Sequence, residues 1–436
     1  MNQQPLASTG SNLGQTDFGR FGVVIPESLK FQPSKRGLSA RRVPVKIRAE
    51  NSSYASNNNK LVRFMLPNNA IYDTRAGYLT FTVTVTTAGG TYRRIHSGIF
   101  SIFQRLRILA AATEIEDLRD FNRIYAALWE MVNPIDVTGN TGVTGMGFGT
   151  QVQRNALGAA AATDYVCPLF SGVLNTELLP FDNINAGVVL ELYLDEAVNV
   201  VETDGTVPVI TITNPVLHME RLDLDPTYRA SLSAYVSSQG LKIGFRTWDR
   251  FINSLTNGSQ QNLTINTRNA SMNGILNFLI NSAQLQDTLI NDKFITWSPT
   301  PTVGIVSATL QQTVLQINGT IFPDEPIDCV NFNRYECYQM YCRWVMKWKM
   351  NGLLAIAPPI NNQAYQVNRF VQVDDLEAYP EEGDLVNPFT TLSNNNTLIK
   401  KLQFSGPLPT GWQLDSWVEY FKEVVINPNG SVSVLS

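Results

Sequence analysis

A strand, a small-residue turn and the start of a helix occur in the same order twice in this chain, and that duplication limits the possible folds more than any other feature. The first copy runs Leu106-Arg-Ile-Leu109, then a turn, then Phe121-Asn122-Arg123-x-Tyr125 opening a helix that ends near Trp129. The second runs Leu315-Gln-Ile317, Asn318-Gly-Thr320, then Phe332-Asn333-Arg334-Tyr335 opening a helix that contains Trp344. The triplets Phe121, Asn122, Arg123 and Phe332, Asn333, Arg334 stand close to half of the chain's 436 residues apart. Three identical residues are a weak signal alone. Their recurrence in one strand-turn-helix order predicts duplication of a β-rich unit, with a helix carried in a long loop of each copy.

Period-two patterns fill both halves. In the first, residues 43–48, 61–66, 78–86, 103–109, 188–194 and 207–219 read as strands, and 78–86 alternates almost perfectly with Thr on one face. In the second, 241–245, 263–266, 275–281, 308–317, 417–426 and 431–435 read the same way. Three helices interrupt them. One spans Asp120 to Val132, with Asp120 placed to cap its first turn; one spans 225–240, with Asp225 as N-cap, Pro226 in the first helical position and Gly240 as the stop. The third runs from Asn333 to about Trp348, with Asn333 and Glu336 at capping-box spacing. All-β domains of about 200 residues with eight or so strands are typically sandwiches or jelly rolls. The expected class is therefore all-β, two such units in tandem with short helices in long loops.

Composition excludes several kinds of chemistry. The 44% hydrophobic content and net charge of -4 belong to a chain that packs a core. Only two histidines are present, His96 and His218, too few for a multi-His metal site and little material for His-based catalysis. Cys167, Cys329, Cys337 and Cys342 form no CxxC pair and read as reduced, partly buried thiols. No enzyme activity and no cofactor or metal is expected. The opening MNQQPLASTG has neither the basic nor the apolar region of a secretory signal. The apolar stretch at 353–359 falls far short of the ~18 residues that span a bilayer. Sequons such as Asn51, Asn257 and Asn395 then read as by-products of an Asn-, Ser- and Thr-rich surface.

Two charged segments stand out. Residues 1–42 are rich in Gly, Ser, Gln, Asn and Pro and read as an arm, and Lys30, Lys35, Arg36, Arg41, Arg42, Lys46 and Arg48 follow one another with no acidic residue between. Such a segment attracts phosphate, in nucleic acid or on lipid headgroups; it reads equally as a solvated tail clamping a neighbouring subunit. Asp374, Asp375, Glu377, Glu381, Glu382 and Asp384 form an acidic run without EF-hand spacing, which reads as a solvated loop before a Ca²⁺ or basic-patch site. Gly145-Met-Gly-Phe-Gly149 lacks the GxxxxGK[ST] of a phosphate loop and reads as part of a flexible excursion over 137–163. Core packing is the default reading for Trp297, Trp412 and Trp417, and anchoring of an interface the alternative.

Several segments, taken in order, resemble one family. Asn69-Asn-x-Ile-Tyr72 with Gly77-Tyr-Leu-Thr-Phe81, Ile102-Phe-Gln-Arg-Leu-Arg107 with Glu114-Ile-Glu116 and Asp120-Phe-Asn-Arg123, Leu179-Pro-Phe181 with 187–194, and Ile210-Thr-Ile-Thr-Asn214 with 216–224 are similar to its first half. Ile321-Phe-Pro-Asp-Glu-Pro-Ile327 and Asn429-Gly-Ser-Val-Ser-Val434 are similar to its second. The family is the double jelly-roll major capsid proteins of icosahedral viruses, the lineage of adenovirus, membrane-containing phages and the large and polinton-like DNA viruses. The resemblance implies an arm over 1–42, a first roll over 43–224, a helical linker over 225–240 and a second roll over 241–436. It implies a structural protein of the virion, made in the host cytoplasm or nucleus, that forms homotrimers of pseudo-hexagonal outline and tiles a shell with neighbouring capsomers, penton and minor capsid proteins. The basic segment would face inward, near the genome or an internal membrane, and the loops 137–163 and 283–306 would project or bridge. The charged fraction of 16%, against about 25% in ordinary chains, then suits sides that are mostly interface.

Two other classes remain as alternatives. A secreted-type β-sandwich that binds carbohydrate or cleaves glycosides would need two carboxylates at ~5 to 10 Å, and no spacing sets such a pair apart. A nucleic-acid-binding protein would rest on the basic arm alone.

Overall fold

The computed structural model describes residues 40–435 except 69, 91–92, 96–97, 111–112, 133–161, 176–178, 186, 268–271, 288, 290–292, 331–333, 351–359, 361 and 377–396. Eight principal strands occupy the first half: β1 (Ala40–Arg48), β2 (Leu61–Leu66), β3 (Ile71–Ala88), β4 (Phe103–Ala110), β5 (Thr113–Arg119), β6 (Thr163–Pro168), β7 (Val188–Leu194) and β8 (Thr206–Leu224). Eight more follow: β9 (Leu241–Ser254), β10 (Gln260–Ile265), β11 (Met272–Asn281), β12 (Leu310–Ile317), β13 (Thr320–Asp328), β14 (Gln372–Asp375), β15 (Leu398–Phe404) and β16 (Trp412–Ile426). A last strand, β17 (Val432–Leu435), pairs with β16.

The sheets establish the duplication directly. The first half forms β1-β8-β3-β6 and β2-β7-β4-β5; the second forms β9-β16-β11-β14 and β10-β15-β12-β13. Every strand of the second set sits where the strand eight places earlier sits in the first. Apart from the hairpins β4-β5 and β12-β13, neighbours in each four-strand order are distant in sequence, and the registered pairs are antiparallel, which is the Greek-key wrapping of a jelly roll. No described strand pairs across the two halves. The fold is two tandem eight-stranded jelly rolls.

Local chemistry accounts for the strands. Along β3, Leu79, Phe81, Val83 and Val85 point inward while Thr80, Thr82 and Thr84 stay part-exposed, and Thr82 and Thr84 lie opposite Thr213 and Thr211 of β8. Residues 61–66 and 188–194 form strands with the expected bounds, whereas β3, β8, β9 and β16 run longer than their alternating cores. β6, β14 and β15 were not expected, and residues 114–116, read as part of a turn, lie within β5.

Helices occupy the connections. α1 (Phe121–Val132) follows β5, α2 (Pro226–Gln239) links the two halves and α3 (Tyr335–Met350) follows β13. α2 is built as its sequence predicts: the Asp225 carboxylate accepts from Thr227 N at 2.9 Å, and Gly240 takes φ 74 beyond its end. Of this helix only Val236 is buried. α3 departs from expectation. It begins at Tyr335, Arg334 has φ 59, and the Glu336 carboxylate accepts the amide of Asp328; Asn333, the other half of the expected capping box, lies outside the described residues.

One apolar core runs through both rolls, from Ile47 and Phe64 to Trp417 and Ile426, with a smaller cluster around Ile275, Leu315 and Val418 inside the second. Trp297, Trp412 and Trp417 all belong to the main core, so the interface-anchor alternative does not hold for them. The four cysteines are buried and unlinked, with the Sγ atoms of Cys329 and Cys337 3.3 Å apart. The loop over 283–306 only partly projects: Phe294, Ile295 and Trp297 are buried, while Ile305 stands fully exposed on a small hairpin of Thr302–Val303 with Val306–Ser307. His96 and Gly145–Gly149 lie outside the described residues, as does most of the 137–163 excursion.

Candidate assembly site at the seam between the rolls

The two rolls meet along β5 of the first and β9 of the second, with β17 and the helices α1 and α3 alongside. At the centre of this seam lies Glu116 of β5, with no solvent exposure. Its carboxylate accepts from Gly172 N at 2.8 Å, Val173 N at 3.3 Å, Thr247 Oγ1 of β9 at 3.0 Å and the hydroxyl of Ser171. Burial pushes its pKa up, and the four donors oppose that. One buried carboxyl group thus ties a first-roll strand, a first-roll loop and a second-roll strand together. Gly172 is required beside it, because a Cβ there would collide with the Arg246 carbonyl of β9.

The first repeated triplet lies on the same seam. Phe121 packs against Tyr125 with ring centroids 5.4 Å apart. Asn122 is fully buried, and its Nδ2 donates to the Ser101 carbonyl at 3.1 Å and to Asp195 at 2.7 Å. The Arg123 guanidinium lies over the Phe294 ring of the second roll at 5.9 Å; burial and the like charge of Arg250 lower its pKa. Asp120, expected to cap α1, accepts Arg123 N at 2.9 Å through its backbone carbonyl and turns its carboxylate to Arg250 of β9 at 2.7 Å. Arg250 is held from the other side by Asp415 at 2.6 and 2.7 Å and lies over Trp417.

Further bonds cross between the rolls. Tyr341 of α3 donates its hydroxyl to the Met131 carbonyl of α1 at 2.9 Å, and Arg369 pairs with Glu130 at 3.0 Å. Lys293, only 3% exposed, donates to the Val198 carbonyl at 3.1 Å. Burial pushes the Lys293 pKa down to about 8.

Of the second triplet only Arg334 is described, and its place differs from that of Arg123. Arg123 lies inside α1, whereas Arg334, with φ 59, precedes the first residue of α3, Tyr335. Arg334 donates to the Gln366 carbonyl at 3.2 Å, and Phe332 and Asn333 lie outside the described residues. The duplication is carried by the repeated strand order.

Of the basic segment, Arg41, Arg42, Lys46 and Arg48 lie exposed on β1, and Lys30, Lys35 and Arg36 lie outside the described residues. Arg42 pairs with Asp73 at 3.2 Å and Glu220 at 3.0 Å. The acidic run does not hold as a solvated loop throughout: Asp374 is fully buried on β14 and paired with the equally buried Lys400 of β15 at 2.7 Å. Glu377, Glu381, Glu382 and Asp384 lie outside the described residues. His218 stacks on Tyr78 and shares a 2.8 Å hydrogen bond with Thr80 Oγ1, a structural placement. Among the described residues no group of His, Cys, Asp and Glu is arranged to hold a metal ion, and no helix is long and apolar enough to cross a membrane.

No protein-family model matches the sequence, and no curated protein does. Solved structures match over nearly the whole chain. PBCV-1 VP54, fitted into a reconstruction of the virophage Sputnik, aligns with a TM-score of 0.63 at 10% identity, over 93% of this chain and 98% of that one. The Faustovirus major capsid protein aligns with a TM-score of 0.59 at 10% identity, over 94% of each chain. The Sputnik virophage structure aligns with a TM-score of 0.56 at 11% identity, over 95% of this chain and 92% of that one. The chain has the double jelly-roll fold that these viral proteins share.

Proposed function

We propose that this chain is a structural major capsid protein, which forms homotrimers of pseudo-hexagonal outline and tiles an icosahedral virion shell. The observation that carries the reading is the repeated strand order in one compact body, Arg41–Ser436, together with a match to a viral major capsid protein over 94% of the chain. The buried charges support a structural role. Glu116, Arg250 and Asp374 each have partners that hold them in place, as in a rigid building block. We divide the chain into an arm over 1–42, a first roll over 43–224, a linker over 225–240 and a second roll over 241–436. The partners are then sister chains, neighbouring capsomers, and penton and minor capsid proteins, and the location is the virion. Lys30, Lys35 and Arg36, with Arg41, Arg42, Lys46 and Arg48, are assigned to the inner face, toward the genome or a membrane.

Light scattering of the purified protein tests the reading together with electron microscopy. A stable trimer, or shell fragments on grids, is expected. A monomer whose melting temperature rises with added oligosaccharide would overturn it in favour of the carbohydrate-binding alternative.

A further inference from the structure

The seam inside the chain joins two strands that are edges of their sheets, β5 and β9. Their charges differ in sign. β5 carries Glu114, Glu116 and Asp117 against one Arg119, with Asp120 next in the chain; β9 carries Lys242, Arg246 and Arg250 against one Asp249. The strands meet acidic edge to basic edge, and the ion pair of Asp120 with Arg250 at 2.7 Å crosses between them, while Lys242 and Arg246 also pair with Glu423 and Glu419 of their own roll, and Glu114 and Asp117 with Arg107 and Arg105 of theirs.

The strands of equal rank in the other roll are β13 and β1. Each is also an edge of its sheet, and each is largely exposed. β13 carries Asp324, Glu325 and Asp328 and no base; β1 carries Arg41, Arg42, Lys46 and Arg48 and no acid. Apolar surface accompanies the charge, since Ile321 and Phe322 of β13 are 40% and 36% exposed, and Tyr335, which opens the α3 that follows, is 57% exposed. Among the described residues, a single chain therefore uses one acidic edge and one basic edge internally and leaves a second pair of the same kind exposed.

The geometry points to β13 of one copy docking against β1 of the next, with the charge arrangement of the internal seam repeated between chains. The occupant of each edge is a second copy of this chain, and the inference rests on the self-association proposed above. Such a contact is head-to-tail, so repetition builds a ring when its rotation closes. It also gives Lys46 and Arg48 a protein partner. Neither makes an ion pair among the described residues.

Paired charge reversals test it. Lys46→Glu with Arg48→Glu changes β1 alone, and Asp324→Lys with Glu325→Lys changes β13 alone; all four residues are exposed, so each variant should fold and melt as the parent does. Light scattering at graded concentration should show each pair of reversals weakening self-association at least ten-fold, and the chain carrying all four recovering it. Association of the parent should weaken with salt, because the charges are exposed. A parent that is monomeric throughout would sink the capsid reading itself. A parent that assembles while all three variants assemble equally well would sink only this pairing of edges.

Discussion

Lys400 shows what a charge costs in this molecule. It and Asp374 are both fully buried, joined at 2.7 and 2.9 Å, with Gln372 and Asn277 donating to the same carboxylate. Removing one member strands the other without water. Lys400→Met should therefore lower stability by about 3 to 5 kcal/mol, and adding Asp374→Asn should recover most of the loss; urea unfolding with an unchanged slope is the check. The same pair explains two strands that pattern reading missed. Along β15 the buried positions are Leu398, Lys400, Leu402 and Phe404, and along β14 Asp374 is buried beside Val373. Each charge breaks the apolar signature of its own strand, and only the fold brings the two together. Lys293 offers a second test at this scale. Its pKa of about 8 lies below the usual 10.5, so between those values the unfolded chain holds a proton that the folded one has lost. Its contribution makes stability rise with pH from about 8 to 10.5 and level off below 8. The difference in unfolding free energy between parent and Lys293→Met should follow that curve; a flat difference would remove Lys293 as its source.

At the scale of elements, legibility depended on how far each segment carries its own instructions. α2 does so completely: cap, first-position proline and terminal glycine are local, and the structure uses all three. Asp225→Ala should cost this helix about 1 kcal/mol and raise amide exchange across its first turn, with little change elsewhere because only Val236 is buried. α1 and α3 are placed by tertiary contacts instead. Asp120 turns its carboxylate to Arg250, so the local capping rule gave way to a remote partner, and Glu336 of α3 accepts the amide of Asp328 outside its helix. The seam was largely invisible in the sequence for the same reason. Nothing near Glu116 announces that Thr247 will be its donor. Gly172→Ala tests how tightly that seam is closed. The added methyl has to displace the Arg246 carbonyl, so thermal stability should fall even though Ala suits a loop as well as Gly does.

At the scale of the whole molecule, the duplication and the all-β class could be read from the chain, because strand alternation survives wherever one face is apolar. The arrangement of edges could not, since it depends on which strands the Greek-key wrapping leaves outermost. Deleting residues 1–42 should leave trimers intact, as Lys46, Arg48 and all of β13 remain, and should impair closed particles; loss of the trimer on size exclusion would refute the assignment of the arm.

The surface position of α2 has its own consequence. A connection that buries one side chain contributes little packing energy, so its role is to supply effective concentration, roughly millimolar for a short tether. A protease site engineered into α2 would convert the seam into an intermolecular equilibrium. The cut protein should stay together at high concentration and separate on dilution, turning the strength of the roll-to-roll seam into a dissociation constant that can be measured without unfolding either roll.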